Sequence, residues 1–196
     1  MPSPSNSREI LRRQLRQTRR HLSCEAQSLA AEQLLTQFVT SPLSATLSQV
    51  SRVALYLSND GEISPDALCH YCWQHNIQVY LPVIHDKALK FARYTAESTW
   101  AENRFGIKEP IDNTPIDGLG LDAVFLPLVG FDAEGGRLGM GGGFYDRTFE
   151  HKQAHNTPVL IGLAHDCQEV AKLPIESWDV PLDIILTPSS LIQLGH

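Results

Sequence analysis

Apolar residues recur at two different periods along this chain. Over roughly the first forty positions the spacing is helical. Leu11, Leu15, Thr18 and Leu22 fall at steps of three and four, with Ser7 as the expected N-cap. Ser23 is placed to cap a second helix carrying Leu29, Leu34, Leu35 and Phe38. Arg8, Arg12 and Arg16 follow i, i+4, i+8 and are expected on a different face from the leucines. The Ser/Thr/Pro-rich stretch 40–51 reads as a loose connection out of these helices.

Beyond it, short apolar runs alternate with helical patterns. The runs 53–57, 79–84, 89–94, 123–131, 159–163 and 184–186 are expected strands. Pro65 suits the first turn of a helix reaching about His75, and 144–152 is a second helical stretch. Asn59, Asp60 and Gly61 make a turn, and the turn formers of 110–120 are expected to cross the surface. Such alternation predicts an α/β fold with a mostly parallel central sheet flanked by helices. The expected organisation is one domain, 8–196, preceded by a flexible tail, 1–7.

Composition narrows the function classes. Hydrophobic residues at 42% and charged residues at 19% match an ordinary globular domain. The net charge of -6 gives no general pull toward nucleic acid or an anionic membrane. The six arginines of 8–20 are the exception, but no Tyr, Phe or Trp lies between Arg8 and Leu22, as RNA readout would require. No apolar run has bilayer length, and segment 1–7, with two prolines, cannot serve as a secretory h-region. A cytoplasmic location is expected. Cys69-x-x-Cys72 lies in a predicted helix with no second such pair, so free structural thiols are expected rather than a zinc site.

The stretch 130–147 carries the chemistry. Gly135, Gly136, Gly139, Gly141, Gly142 and Gly143 fall within nine residues, six of the chain's 13 glycines. Ordering so many glycines costs conformational entropy, and the return is a backbone able to turn bare N–H groups toward an anion. A following helix at Phe144 would add its dipole. The loop lacks the Lys-Ser/Thr of a Walker A motif and does not match G-x-G-x-x-G. Arg137, Asp146 and Arg147 bring both charge signs to it. The alternative is a flexible hairpin between two strands.

Leu126-Pro-Leu-Val-Gly-Phe-Asp followed by Arg137-Leu-Gly-Met-Gly-Gly-Gly-Phe-Tyr-Asp146 resembles the signature of the 5-formyltetrahydrofolate cyclo-ligase (methenyltetrahydrofolate synthetase) family, bacterial type. Arg8-Glu-Ile-Leu-Arg12, Leu55-Tyr-Leu-Ser-Asn-Asp-Gly-Glu62, Phe105-Gly-Ile-Lys-Glu-Pro110 and Trp178-Asp-Val-Pro-Leu-Asp183 resemble further family segments in order. The resemblance implies the NagB/RpiA/CoA transferase-like fold. It also implies ATP-dependent cyclisation of 5-formyltetrahydrofolate to 5,10-methenyltetrahydrofolate, with release of ADP and phosphate, through a phosphorylated formyl oxygen.

By the same resemblance ATP is held by Arg8, Arg12, Arg137, Leu138, Gly139, Met140, Gly141, Gly142, Gly143, Phe144 and Tyr145. Arg137 and Tyr145 are the implied catalytic residues. The folate is held by Leu57, Glu62, Met140, Gly141, Gly142, Gly143 and Phe144. Mg2+, arriving with ATP as co-substrate, falls to Asp146 and Asp179, with Asp183 and Asp132 as second choices. Relatives often carry lysine where this chain has Gly142, so another cation is needed there. Trp100 and Phe105 are candidates to enclose the ligand, and His165-Asp166 is a less favoured acid/base pair. The implied partners are 5-formyltetrahydrofolate and ATP, acting on a monomer, with no nucleic acid and no membrane. Two rivals remain: a sugar-phosphate isomerase or acyl-CoA transferase relative, which would not need ATP, and a folate-sequestering protein without turnover.

Overall fold

The change of period after the first forty residues marks where helices give way to a sheet. The computed structural model describes residues 4–47, 50–112, 114–153 and 157–195. Helices α1 (Pro4–Arg20), α2 (Cys24–Thr40) and α3 (Pro42–Leu47) lead into strand β1 (Arg52–Ala54). Then come α4 (Asp66–Gln74), β2 (Gln78–His85), β3 (Ala88–Tyr94) and the hairpin of β4 (Trp100–Glu102) with β5 (Lys108–Pro110). The chain continues through β6 (Ile116–Asp117), β7 (Ala123–Pro127), the hairpin of β8 (Gly130–Phe131) with β9 (Arg137–Leu138), and α5 (Phe144–Phe149). Strands β10 (Val159–Leu163), β11 (Ile184–Leu186) and β12 (Leu191–Gln193) complete it.

Eight strands form one sheet in the order β12-β11-β10-β7-β1-β2-β3-β6. The five from β11 to β2 run parallel, and β12, β3 and β6 pair antiparallel with their neighbours. Alternate residues therefore feed two cores. Val53, Phe125 and Ile161 face Leu34 and Phe38 of α2 and Leu68 and Cys72 of α4. Ala54, Val124, Leu160 and Ile185 face the other way, toward Phe149 of α5. Leu15, Val129, Leu138 and Leu173 form a third, smaller cluster that seats α1 beside the β8–β9 hairpin. No described helix is long and apolar enough to cross a membrane. Cys69 and Cys72 are buried free thiols, each pushed up to about 12 chiefly by desolvation.

Several expectations are corrected. Helix α1 begins at Pro4, so Ser7 lies within it rather than capping it and residues 4–7 are not a tail. Residues 1–3 lie outside the described residues. Ser23 does cap α2, its hydroxyl accepting from the Ala26 amide at 3.2 Å. The stretch 40–51 contains α3 instead of being loose throughout; of it, 48–49 lie outside the described residues. The expected strand 123–131 is two strands, because the chain leaves the main sheet after Pro127 and Val129 donates to the Leu138 carbonyl at 2.7 Å. The 110–120 crossing holds β6 and a 3-10 turn whose Gly118 is buried against Phe149.

The largest correction concerns α1. Arg8, Leu15 and Arg19 are all buried, whereas Thr18 is exposed. Positions i, i+7 and i+11 share one helical stripe, so the basic and apolar faces are the same inward face.

A Cβ at Gly118 would stand 2.6 Å from Cε1 of Phe149. Gly118→Ala should therefore destabilise the fold by about 1–3 kcal/mol through overpacking, read from urea unfolding. A change below about 0.5 kcal/mol would contradict the close approach of α5 to this turn.

Candidate active site

The 130–147 stretch divides into two devices. Its first part is a hairpin: Gly130 and Phe131 pair with Leu138 and Arg137. Buried Asp132 closes the turn by accepting from the amides of Glu134 at 3.0 Å, Gly136 at 2.8 Å and Leu173 at 2.8 Å. A Cβ at Gly136 would meet the Asp132 carboxylate at 2.4 Å, so this glycine serves packing. Three amide bonds leave Asp132 a structural acid. Asp183 is likewise committed, to the Leu160 amide at 2.7 Å and to Lys152 at 3.1 Å. The second-choice metal ligands thus have structural occupations.

The second part, 139–143, is the open loop. Three of its five carbonyls are engaged: Arg12 Nε donates to Gly139 O at 2.9 Å, Arg147 Nη2 to Gly142 O at 2.6 Å, and the Arg147 amide to Gly143 O at 3.1 Å. Its amides are not, for among the described residues no group of the chain accepts from the N–H of residues 139–143. Gly141 and Gly143 hold φ of 91° and 64°, the left-handed region open to glycine at little cost. The two arginines pin the carbonyls and leave a run of bare donors. Helix α5, only six residues long, adds little dipole; the bare amides themselves are what could receive an anion.

Around this loop the chain assembles charge. Arg8 grips Asp179 with two bonds, 2.6 and 3.0 Å, and donates to Pro174 O at 3.0 Å. Arg137 pairs with Asp146 and donates through Nε to Val180 O at 2.8 Å, and the Val180 amide donates to Asp146 at 3.2 Å. The two Arg–Asp pairs therefore meet at the Asp179–Val180 step. Burial pushes the Asp179 carboxyl up, but the Arg8 hydrogen bond and the Glu176 amide outweigh it and hold it below the ordinary range. Among the described residues Arg12 has no carboxylate partner, and desolvation, together with the nearby Arg8 charge, lowers its pKa.

Sequence reasoning missed Arg19. Its side chain is fully buried, donating to Asp60 O at 2.9 Å, Leu128 O at 2.9 Å and Asp60 Oδ2 at 3.0 Å. It also lies 3.5 Å from Glu62 and 3.9 Å from the Met140 sulfur. Arg16 and Arg20 converge on the same Asp60 carboxylate. The available signal was the spacing Arg8, Leu15, Arg19 on a single stripe. Gly61, at φ 75°, passes so close to α1 that a Cβ would lie 3.2 Å from the Arg19 carbonyl. That approach presents Glu62, whose carboxylate accepts from the Asn59 amide at 3.0 Å. Burial pushes Glu62 up, more than the Arg19 charge pulls it down.

The remaining candidates fall as follows. Tyr145 is close enough to Glu62 and Arg137 to feel both charges; burial, then Glu62, raise its phenol. Leu138 is buried under the loop, and Met140 is 49% exposed above it. Leu57 is half-buried and packs into the core on the α2–α4 side. The Phe144 ring lies over Gly142 and meets exposed Phe105 edge-on at 6.1 Å. Trp100 packs on Tyr94, their ring centres 5.4 Å apart. His165 is buried: desolvation pushes its imidazole down, and among the described residues its Nε2 has no hydrogen-bond partner. Neutral and enclosed, it suits a structural role better than proton transfer. Beside Glu62 a cavity of 660 Å³ opens between α2 and segment 58–67, walled by Gln27, Ser28, Asn59 and Asp66 among others and by none of the glycine loop.

The model of the 5-formyltetrahydrofolate cyclo-ligase family matches residues 4–188, nearly the whole chain. The chain belongs to this family. It is 43% identical over 189 residues to the 5-formyltetrahydrofolate cyclo-ligase of Haemophilus influenzae, covering 93% of this chain and 98% of that one. It is 42% identical over 182 residues to the Escherichia coli cyclo-ligase, covering 90% and 98%. The solved Aquifex aeolicus 5,10-methenyltetrahydrofolate synthetase superposes with a TM-score of 0.82 at 26% identity, covering 96% of this chain and 93% of that one. The α/β fold with a mostly parallel sheet is therefore the cyclo-ligase fold.

Removing a buried charge leaves its partner uncompensated. Arg19→Ala should cost about 3–5 kcal/mol in urea unfolding, since buried Glu62 then loses the charge that offsets its desolvation, while Asp60 keeps Arg16 and Arg20. A loss under about 1 kcal/mol would show that Arg19 does not hold the Glu62 loop to α1.

Proposed function

We infer that the chain catalyses the ATP-dependent cyclisation of 5-formyltetrahydrofolate to 5,10-methenyltetrahydrofolate, releasing ADP and phosphate. The observation that carries this reading is the loop 139–143, whose amides have no acceptor among the described residues while arginines engage the Gly139 and Gly142 carbonyls, beside two Arg–Asp pairs. Family membership narrows the anion to a nucleotide phosphate.

The N5-formyl carbon is amide-like and resists attack by N10. Transfer of the γ-phosphoryl group to the formyl oxygen converts that oxygen into a phosphate leaving group. N10 then bonds to the carbon, loses its proton and closes the ring as phosphate departs. Such chemistry asks for positioning and charge neutralisation rather than a strong base. The free amides of 139–143 and the unpaired Arg12 guanidinium would bind the phosphates. Arg137 would hold Asp146 in register and add positive charge beside the transferred group. Glu62, an acceptor when ionised, suits the N–H donors of the pterin, with Met140, Phe144 and Tyr145 as apolar walls.

Among the described residues no cluster of three or more His, Cys, Asp or Glu stands ready for a metal. Asp146 accepts from the Val180 amide, one residue on from Asp179, and such a pair of carboxylates fits Mg2+ brought by the nucleotide, which takes one or two carboxylates plus phosphate and water. That ion would neutralise phosphate charge. We read the protein as a cytoplasmic monomer acting on small molecules.

Purified protein mixed with 5-formyltetrahydrofolate and Mg-ATP should develop methenyl absorbance, and omission of ATP should abolish it. Arg137→Ala should lower kcat by about 100-fold or more, as for loss of a charged transition-state contact, and His165→Ala by less than about tenfold. Equal losses would remove the basis for assigning Arg137 to phosphoryl transfer.

Glu62→Gln separates binding from stability. The folded-state pKa of Glu62 lies above the ordinary 4.5, so its ionisation subtracts stability as pH rises from 4.5 through the folded value. Relative to the parent, the variant should gain stability between pH 4.5 and 7 while its KM for 5-formyltetrahydrofolate rises about 10- to 100-fold. An unchanged KM would remove Glu62 from the folate site.

A further inference from the structure

At the outer edge of the glycine loop two arginines flank an aromatic pair. Phe105 and Phe144 meet at 83° with centroids 6.1 Å apart, and Phe105 is 58% exposed. The Arg104 guanidinium lies 5.1 Å from the Phe105 ring centre and 5.9 Å from that of Phe144. Arg147 lies 5.3 Å from Phe144 and is anchored to the carbonyls of Gly142 and Lys87. Among the described residues neither arginine has a carboxylate partner, as is also true of Arg12, Arg13, Arg52 and Arg93, whereas Arg8, Arg16, Arg19, Arg20 and Arg137 each have one. The acids of the adjoining groove, Asp86 and Glu109, make no ion pair with Arg104; Glu109 is occupied by the Ile84 amide and Asn103. In a chain of net charge -6, two uncompensated cations around an exposed ring need a reason.

The arrangement is built. Asn103 accepts from the amides of Phe105 at 2.9 Å and Ile107 at 3.1 Å, and Gly106 turns the β4–β5 tip at φ 71°. This fixed turn holds Phe105 and Arg104 outward, against the Phe144 ring that lies on Gly142.

We propose that Arg104 and Arg147, with Phe105 and Phe144, dock the p-aminobenzoyl-glutamate arm of the folate, the guanidiniums taking its carboxylates and the rings its aryl group. The proposal rests on the function inferred above. The reacting carbon must reach the phosphate at the loop, and N10, which attacks it, is bonded directly to the benzoyl ring. That ring must therefore leave the site next to the loop, where Phe144 lies. Aryl groups favour edge or offset contacts with such rings, and the arm's carboxylates are ionised at neutral pH, matching guanidinium forks.

The test compares 5-formyltetrahydrofolate with 5-formyltetrahydropteroate, which lacks the glutamate. Arg104→Ala should raise KM for the folate about three- to tenfold, the scale of an exposed charge contact, and Arg104→Glu should raise it further. Arg104→Lys should restore most of the loss, while kcat, KM for ATP and KM for the pteroate stay unchanged. A rise in KM for ATP instead, equal effects on both pterins, or no effect would overturn the proposal. Should the parent protein form no methenyl product, the inferred function fails on its own. Calorimetric binding of the same two pterins to parent and variants then decides the docking question separately.

Discussion

Burial of the Arg19 guanidinium is the constraint on which the site depends. A charge taken out of water is tolerated only when its donors are satisfied, and Arg19 finds its acceptors on two separate segments, Asp60 and Leu128, with Glu62 and Met140 within reach. Meeting that demand fixes α1 against the β1–α4 loop and against the chain just before the glycine hairpin. The same helix then carries Arg8 to Asp179 and Arg12 to Gly139. One stripe of a helix thus sets the spacing between the acidic turn, the phosphate loop and the closing segment.

The rest of the site follows from how backbone groups are spent. A loop of residues 139–143 left to itself would expose both carbonyls and amides, offering no preference for an anion. Arg12 and Arg147 each take a carbonyl, and the amides remain the open valence. Gly143 permits this twice over. Its positive φ suits the chain reversal, and a Cβ there would meet Arg147 at 2.6 Å, expelling the guanidinium that holds Gly142.

Much of this was legible in the amino-acid sequence, and unevenly so. The strands were visible because a parallel sheet covered on both faces needs continuous apolar runs, as at Val124 to Leu126 and Val159 to Leu163. The glycine loop was visible because six glycines in nine residues exceed what one turn needs, although Gly136 proved to serve the packing of the hairpin. Short elements such as β4, β6 and β12 were not, since two or three residues leave no period to read. The inward arginines were hidden for a different reason. A hydrophobic pattern treats Arg as surface, yet on α1 the buried stripe runs through Arg8, Leu15 and Arg19, and only their tertiary acceptors reveal it.

The same logic separates the acids that the sequence presented as equals. Asp132, Asp146, Asp179 and Asp183 all lie in family-like segments, but their partners differ in kind. Asp132 takes three amides and Asp183 an amide and a lysine, bonds that hold turns together and have no reason to exchange. Asp146 and Asp179 instead hold arginine guanidiniums, whose charge a phosphate could share. Arrival of a polyanion would give Arg8 and Arg137 a second acceptor and free carboxylate oxygens for a cation. The two Arg–Asp pairs are therefore an arrangement in which each charge is balanced by its partner, and both signs would be available together to a nucleotide and its cation.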